Sequence, residues 1–557
     1  MLVPDPHLLD DVFASIVKKH NKASISAVIF DEEKILYEHY DGLADREQKI
    51  RPDGNTLYMI ASNTKILTTL GLLRLAEDGK LDLHADIRQY IPELSLKSRT
   101  GDPEMTIEDF LMHRSGLVCD LYRYMIGEGT EYTPIIEGLK QTYRTSFPGE
   151  MFSYSNLGYT LLGIVIERVS GMPYTAFLQK YLFDPLDMNV YFMPEKHLPE
   201  TVQEHTAKSY DAKKHRTYDP LGKLLPAGPC TYTSIYDLLK IGQLILNEGT
   251  YGKKKLYRKK TIRWMKELPV KDPLDKELAV IGHSLFHHKL HTDYVTGPFM
   301  GHGGNTVYHH SLFDFLPEEK LGIIIFSNYE DAPPVIGKLE KALLNEYLRQ
   351  AGFPKKETGA VKPVKADITA FTGRYDTTYG PLSFTISDDA KLAVRAGNAC
   401  LPVRVTEGGW LKVSGPFPPS LKALRTNLLK QTVYFGKDVL IADNNGTKTV
   451  VGIRYTEPCI NAAWLEAAGT YAPAEEPVLD GYDGMDLKLK DGELIVTVKI
   501  IGEDLNYYLH VLNDHEAVVK GFGRNTGHTV TLQKDITYLY LECDGVRARK
   551  KRRQNNE

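Results

Sequence analysis

Cysteine is scarce in this chain of 557 residues: five in all, Cys119, Cys230, Cys400, Cys459 and Cys543, scattered and without one C-x-x-C pair. An odd, dispersed set excludes a disulfide framework and a cysteine-ligated zinc site, and fits free thiols in a reducing compartment. Long apolar runs are missing too. None approaches the ~18 residues that a membrane-spanning helix needs. The opening MLVPDPHLLDDVFASIVKKH has no basic start followed by an apolar core, so it does not read as a secretory signal. A cytoplasmic location without membrane attachment is the expectation. Charge of one sign is also lacking: 68 Lys and Arg against 72 Asp and Glu leave a net charge of −4, which gives no footprint for nucleic acid. The basic cluster from Arg547 to Arg553 lies in the tail and reads as a solvated terminus.

What is present is ordinary globular composition, 42% apolar and 25% charged, in a chain too long for one core. Three textures divide it. Residues 1–353 mix strand and helix signals: a hairpin over Ala23 to Tyr40, a nearly all-apolar helix over Lys65 to Glu77, and further helices over Leu157 to Ser170 and Ile235 to Asn247. A last strand pair runs over Leu312 to Phe315 and Leu321 to Ser327. Strands at both ends with helices between predict an α+β layer on an antiparallel sheet. Residues 354–366, rich in Lys and Pro, mark a linker. Residues 367–462 and 463–557 then read as two all-β domains, sandwich or barrel. Phe371-Thr372-Gly373-Arg374-Tyr375 is echoed by Ala467-Ala468-Gly469-Thr470-Tyr471.

Three short motifs follow one another in the first region. Ser62-Asn63-Thr64-Lys65 opens the apolar helix. A serine needs an adjacent base to become a nucleophile, and positions i and i+3 share a helix face, so Lys65 reaches back to the Ser62 hydroxyl. The ordinary reading of S-x-x-K is a capping serine and a surface lysine. It suits the second match, Ser15 to Lys18, but not Lys65, which apolar residues bury. Tyr154-Ser155-Asn156 enters the next helix from a Pro-Gly loop; a phenol can shuttle protons and an amide can hold a substrate. The competing reading makes Asn156 a helix cap. His302-Gly303-Gly304-Asn305 forms a thin edge where substrate could lie beside backbone, with the Asn305 N–H as an oxyanion donor. His283, His287, His288 and His291 are read as exposed residues, not ligands. No metal and no cofactor are called for.

The S-x-x-K, Tyr-x-Asn and His-Gly-Gly set resembles the serine β-lactamase and penicillin-binding-protein family, over residues 10 to 350. Flanking phrases agree: His113-Arg114-Ser115-Gly116-Leu117, Pro226-Ala227-Gly228 and Ser327-Asn328. The resemblance implies a β-lactamase/transpeptidase-like catalytic domain in which Ser62 is the acylated nucleophile, Lys65 the base and Tyr154 the proton relay. Asn156 would hold the substrate amide, His302 would be the third-motif residue, and Gly303, Gly304 and Asn305 would line the substrate edge. The two trailing β domains resemble the architecture of bacterial D-aminopeptidase. The expected activity is an acyl-enzyme hydrolase on small D-amino-acid peptides or amides. An esterase or β-lactamase-like hydrolase, and a non-catalytic acyl-binding protein, are the alternatives. Partners would be small peptides, amides or esters, and a homodimer stays open.

Overall fold

The structure, a computed structural model, describes residues 4–551 apart from 19–23, 100, 125–133, 221–224, 229, 288–291, 358–361, 379, 445, 456, 458–459, 475–478, 480 and 522–523. Its first part is built on a six-stranded antiparallel sheet. The strands are β1 (Ile25–Asp31), β2 (Ile35–Asp41), β3 (Phe286–His287), β4 (Met300–Asn305), β5 (His310–Leu316) and β6 (Leu321–Ser327), in the spatial order β3-β4-β5-β6-β1-β2. Helices α1 (Pro6–Val17), α2 (Thr64–Glu77), α3 (Asn156–Ser170), α4 (Ile235–Leu246) and α5 (Pro333–Gln350) pack around the sheet.

Alternation along β1 sets the layers, because successive side chains leave a strand on opposite faces. Ile25, Ala27 and Ile29 pack with Leu9 and Phe13 of α1 and with Leu339 and Leu343 of α5. Val28 and Phe30 join the larger core under α2, α3 and α4. The α+β arrangement expected from the strand and helix signals holds. Helix α2 is apolar on nearly every side because it lies inside that core, buried from Thr64 to Leu73. Among the described residues no single helix is long and apolar enough to cross a membrane.

Beyond Asp367 the chain is all-β. Eight antiparallel strands from Gly373–Thr377 to Thr447–Arg454 close into a barrel, with Tyr375 paired to Arg454. A second eight, from Gly469–Pro473 to Val546–Lys550, close in the same way, with Tyr471 paired to Lys550. First-to-last pairing makes these barrels, not sandwiches, and leaves no open edge. The sequence echo is a structural repeat. The short helices Ile368–Phe371 and Ala462–Ala467 lead into the first strands, where Tyr375 and Tyr471 are both buried.

Both barrels dock on the first part. The hairpin Leu428–Tyr434/Lys437–Asn444 of the first barrel places the Tyr434 hydroxyl 2.6 Å from Asp275, to which it donates. The second barrel docks through the segment between Glu516–Val519 and Thr529–Lys534, where His528 Nε2 accepts from the Cys119 N–H at 2.9 Å. Cys119, Cys230 and Cys543 are free and buried, and Cys400 is free and exposed; Cys459 lies outside the described residues.

Candidate active site

Ser62 sits in a single 3-10 turn, Ala61–Asn63, directly ahead of α2. The residue before it, Ala61, has φ 48°, a backbone region costly for any side chain and found where surroundings enforce it. Two glycines do the enforcing. A Cβ on Gly228 would fall 2.5 Å from the Ala61 carbonyl, and one on Gly304 would fall 2.1 Å from the Ile60 carbonyl oxygen. The Pro226-Ala227-Gly228 and His302-Gly303-Gly304 segments therefore clamp the turn from two directions. Gly304 serves close packing of the protein on itself.

Lys65, one turn on, is fully buried. Its Nζ lies 3.1 Å from Ser62 Oγ, donates to Asn156 Oδ1 at 2.8 Å and donates to the Ala227 carbonyl. Burial holds its pKa well below the usual lysine value; the charge of Arg524 pushes the same way, and Asp120 opposes. The surroundings thus favour the neutral amine over the ammonium.

Ser155 takes the capping role at α3, its hydroxyl accepting from the Gly158 N–H at 2.9 Å. That frees the Asn156 side chain, which donates from Nδ2 to Asp120 at 2.8 Å while Oδ1 receives Lys65. The Tyr154 ring lies 4.9 Å from Lys65 Nζ and stacks on His113 at 4.2 Å. Burial raises the Tyr154 phenol pKa, and its hydrogen bond with Ser62 works against that rise. His302 lies 6.0 Å from Tyr154 between ring centres, and its Nδ1–H donates to the Gly303 carbonyl at 2.6 Å. Asn305 accepts from His310 Nδ1 through its side chain, at 2.8 Å. The Thr306 N–H to His309 carbonyl bond at 2.9 Å closes the β4–β5 hairpin. In an antiparallel ladder the bonding alternates, so the backbone groups of Gly303 and Asn305 face away from β5. On that outer edge β3 pairs only with Met300 and Gly301, among the described residues.

A model of the beta-lactamase family matches residues 9–345. The chain belongs to that family. It is 28% identical over 182 residues to protein flp of Staphylococcus aureus, covering 32% of this chain and 36% of flp. It is 30% identical over 197 residues to esterase EstB of Burkholderia gladioli, covering 32% of this chain and 49% of EstB. The chain thus spans half or less of the length of these curated relatives. A crystal structure of SurE with D-Leu superposes at a TM-score of 0.57 with 19% identity, over 81% of this chain and 99% of that one, which is a likeness of fold.

The family motifs did not reveal everything that surrounds the serine. Asp120 and Arg524 had no motif to announce them, and Arg524 comes from the second barrel, 404 residues further along. Its Nε donates to Asp120 Oδ2 at 2.9 Å, and its guanidinium lies 5.9 Å from the centre of the Tyr154 ring. His113, in sequence only a residue of a flanking phrase, supports Tyr154 by stacking on it. The histidines read as exposed need correcting in two cases. His283 is 1% exposed, stacked on Trp264 and bonded to Glu108; His287 is buried as well. The Trp264 ring covers the first, and pairing with Met300 sets the second inside the sheet. His288 and His291 lie outside the described residues. Ser15 is exposed on α1 and donates to the Val12 carbonyl. Asn328 fastens β6, donating to the carbonyls of Ala44 and Lys208.

Proposed function

We propose that this chain is a serine hydrolase that works through an acyl-enzyme on Ser62. The observation that carries the reading is the count of partners around Lys65. A neutral amine has two protons and one lone pair. As the ammonium, Nζ donates to Ser62 Oγ at 3.1 Å as well as to Asn156 Oδ1 and the Ala227 carbonyl; once the amine is neutral, the last two take both protons and the lone pair faces the Ser62 hydroxyl.

Ser62 loses its proton to Lys65 as it attacks a carbonyl, and the tetrahedral oxyanion is held by the N–H groups of Ser62 and Asn305. Tyr154, in reach of both Ser62 and Lys65, passes that proton to the leaving group. Hydrolysis of the ester runs the same relay in reverse, with water in place of the leaving group. His302 and Gly303 line the substrate edge, while Gly304, expected there from the sequence, packs against the Ile60 carbonyl instead.

The substrates we propose are small peptides or amides containing a D-amino acid. The superposition on SurE crystallised with D-Leu and the two β-barrels after the family domain support this choice. The relation to EstB favours a second reading, ester hydrolysis by the same machinery. One assay separates them: D-alanine p-nitroanilide, its L form and a p-nitrophenyl ester, each turned over by the full chain. Cleavage of the D anilide in preference to the L form is expected. Turnover of the ester alone, with no D/L selectivity, would dispose of the peptidase reading.

A further inference from the structure

The loop that carries Arg524 is anchored at several points. The Cys119 backbone N–H donates to His528 Nε2 at 2.9 Å, and the other ring nitrogen faces the buried carboxylate of Asp544. The Asn525 N–H donates to Cys119 Sγ at 3.1 Å, and its side chain donates to the Tyr507 hydroxyl at 3.0 Å. Gly527, at φ 81°, passes so close to Thr145 that a Cβ would lie 2.7 Å from its carbonyl oxygen. These bonds fix residues 524–528 of the loop against Cys119 and Thr145.

From its tip a continuous chain of bonds runs to the serine. Arg524 donates to Asp120 Oδ2, Asn156 donates to Asp120 Oδ1, Lys65 donates to Asn156, and Lys65 Nζ meets Ser62. Asp120 is 1% exposed, so its carboxylate needs a counter-charge, and the guanidinium is the group in contact with it. We infer that Arg524 is a positioning residue for the Ser62–Lys65 pair, acting through Asp120 and Asn156. This rests on the acyl-enzyme reading of Ser62.

The charges around Lys65 give the inference its sign. The rings of Tyr154 and Tyr159 face the amine, the charges of Asp120 and Arg524 act on it, and His113 interacts with it in turn. His113 is held far below its ordinary pKa by burial first, then by Lys65, His302 and Arg524, and stays neutral. Asp120 and Arg524 are thus the charged pair that acts on Lys65, with opposite effects. Removing the cation leaves Asp120 to stabilise the ammonium; removing the anion leaves the cation to disfavour it.

The test is the rate at which a fluorophosphonate labels Ser62, followed by intact mass as a function of pH in the full chain. Arg524→Ala should move the acidic limb of that rate up by about one pH unit. Asp120→Asn, which keeps the bond from Asn156, should move it down. Arg524→Lys, which keeps the charge without the fork, should hold the limb near its wild-type position while slowing labelling. An acidic limb that coincides with wild type in both folded single variants would overturn the inference. If Arg524→Ala does not fold, the downward shift in Asp120→Asn decides the matter alone. Absence of any adduct on Ser62 in the wild type would instead overturn the acyl-enzyme reading, and this inference with it.

Discussion

Arg114 and Asp275 form an ion pair at 2.7 Å with side chains only 1% and 0% exposed, and the first barrel's Tyr434 donates to the same carboxylate oxygen. The pair joins the segment after the helix Ile107–Leu111 to the short turn Pro273–Lys276, and the barrel hairpin covers both. Breaking a buried pair from one side strands a charge. Asp275→Ala should therefore cost about 3–5 kcal/mol in urea unfolding, and combining it with Arg114→Met should recover most of the loss.

The same pair makes a pH prediction. Burial alone would raise the Asp275 pKa, but the charge and hydrogen bond of Arg114 and the bond from Tyr434 more than offset it, so the net shift is downward. A group whose folded pKa lies below its unfolded value adds stability above the unfolded pKa and loses it as pH falls through the folded one. Stability of the wild type should fall in acid more steeply than that of Asp275→Asn, as thermal melts over the carboxylate range would record.

Ser62→Ala should lower turnover by several orders of magnitude and abolish the fluorophosphonate adduct, as loss of an essential nucleophile does. Lys65→Ala should block acylation in a folded protein. Lys65→Arg should not restore it, since a guanidinium cannot act as a base. Because burial holds Lys65 well below its usual pKa, the acidic limb of wild-type kcat/KM should lie well below the pH at which an ordinary lysine titrates, with activity falling as the amine gains its proton. Steady-state rates against pH and the mass of the intact chain check these points.

The parts of the site that lie near one another in sequence, or that repeat a family spelling, were legible. Ser62 and Lys65 share a helix face, and the apolar residues behind them announced that Lys65 would be buried. The strand pairs announced the sheet. Two barrel-like β domains were legible as well, but not which strands close them, because pairing of Tyr375 with Arg454 and of Tyr471 with Lys550 depends on register between strands far apart in the chain. Arg524 was hidden for a related reason. Its role is set by a loop from another barrel, and no local pattern distinguishes an arginine that meets a buried aspartate from one that meets water. His283 failed differently: a histidine in a segment without clear periodicity reads as surface until the Trp264 ring is laid against it.

Gly304→Ala tests the clamp on the nucleophile turn. A methyl there would lie 2.1 Å from the Ile60 carbonyl oxygen and 2.3 Å from Ser311 Oγ, the hydroxyl that donates to Ile60 and accepts from Asn63. The β4 strand must move away from Ala61–Asn63 to admit it. A stability cost of about 1–3 kcal/mol is expected. A larger relative loss should appear in kcat, since the shift displaces the Asn305 N–H that we propose as an oxyanion donor. Urea unfolding alongside steady-state kinetics separates the two effects.

His528 decides whether the second barrel stays seated. Its Nε2 lies 2.9 Å from the Cys119 N, and its Nδ1 donates to the buried Asp544 carboxylate. His528→Ala would leave a buried carboxylate and a buried backbone N–H without these bonds, each loss costing about 1–3 kcal/mol. The loop bearing Arg524 and Asn525 should then lift from Cys119, whose thiol is fully buried beneath it in the wild type. Alkylation of Cys119, mapped by peptide mass, should be slow in the wild type and many-fold faster in His528→Ala. Exposed Cys400 should react equally in both and serve as the internal control. An unchanged Cys119 rate in a folded variant would show that the loop is held without this histidine.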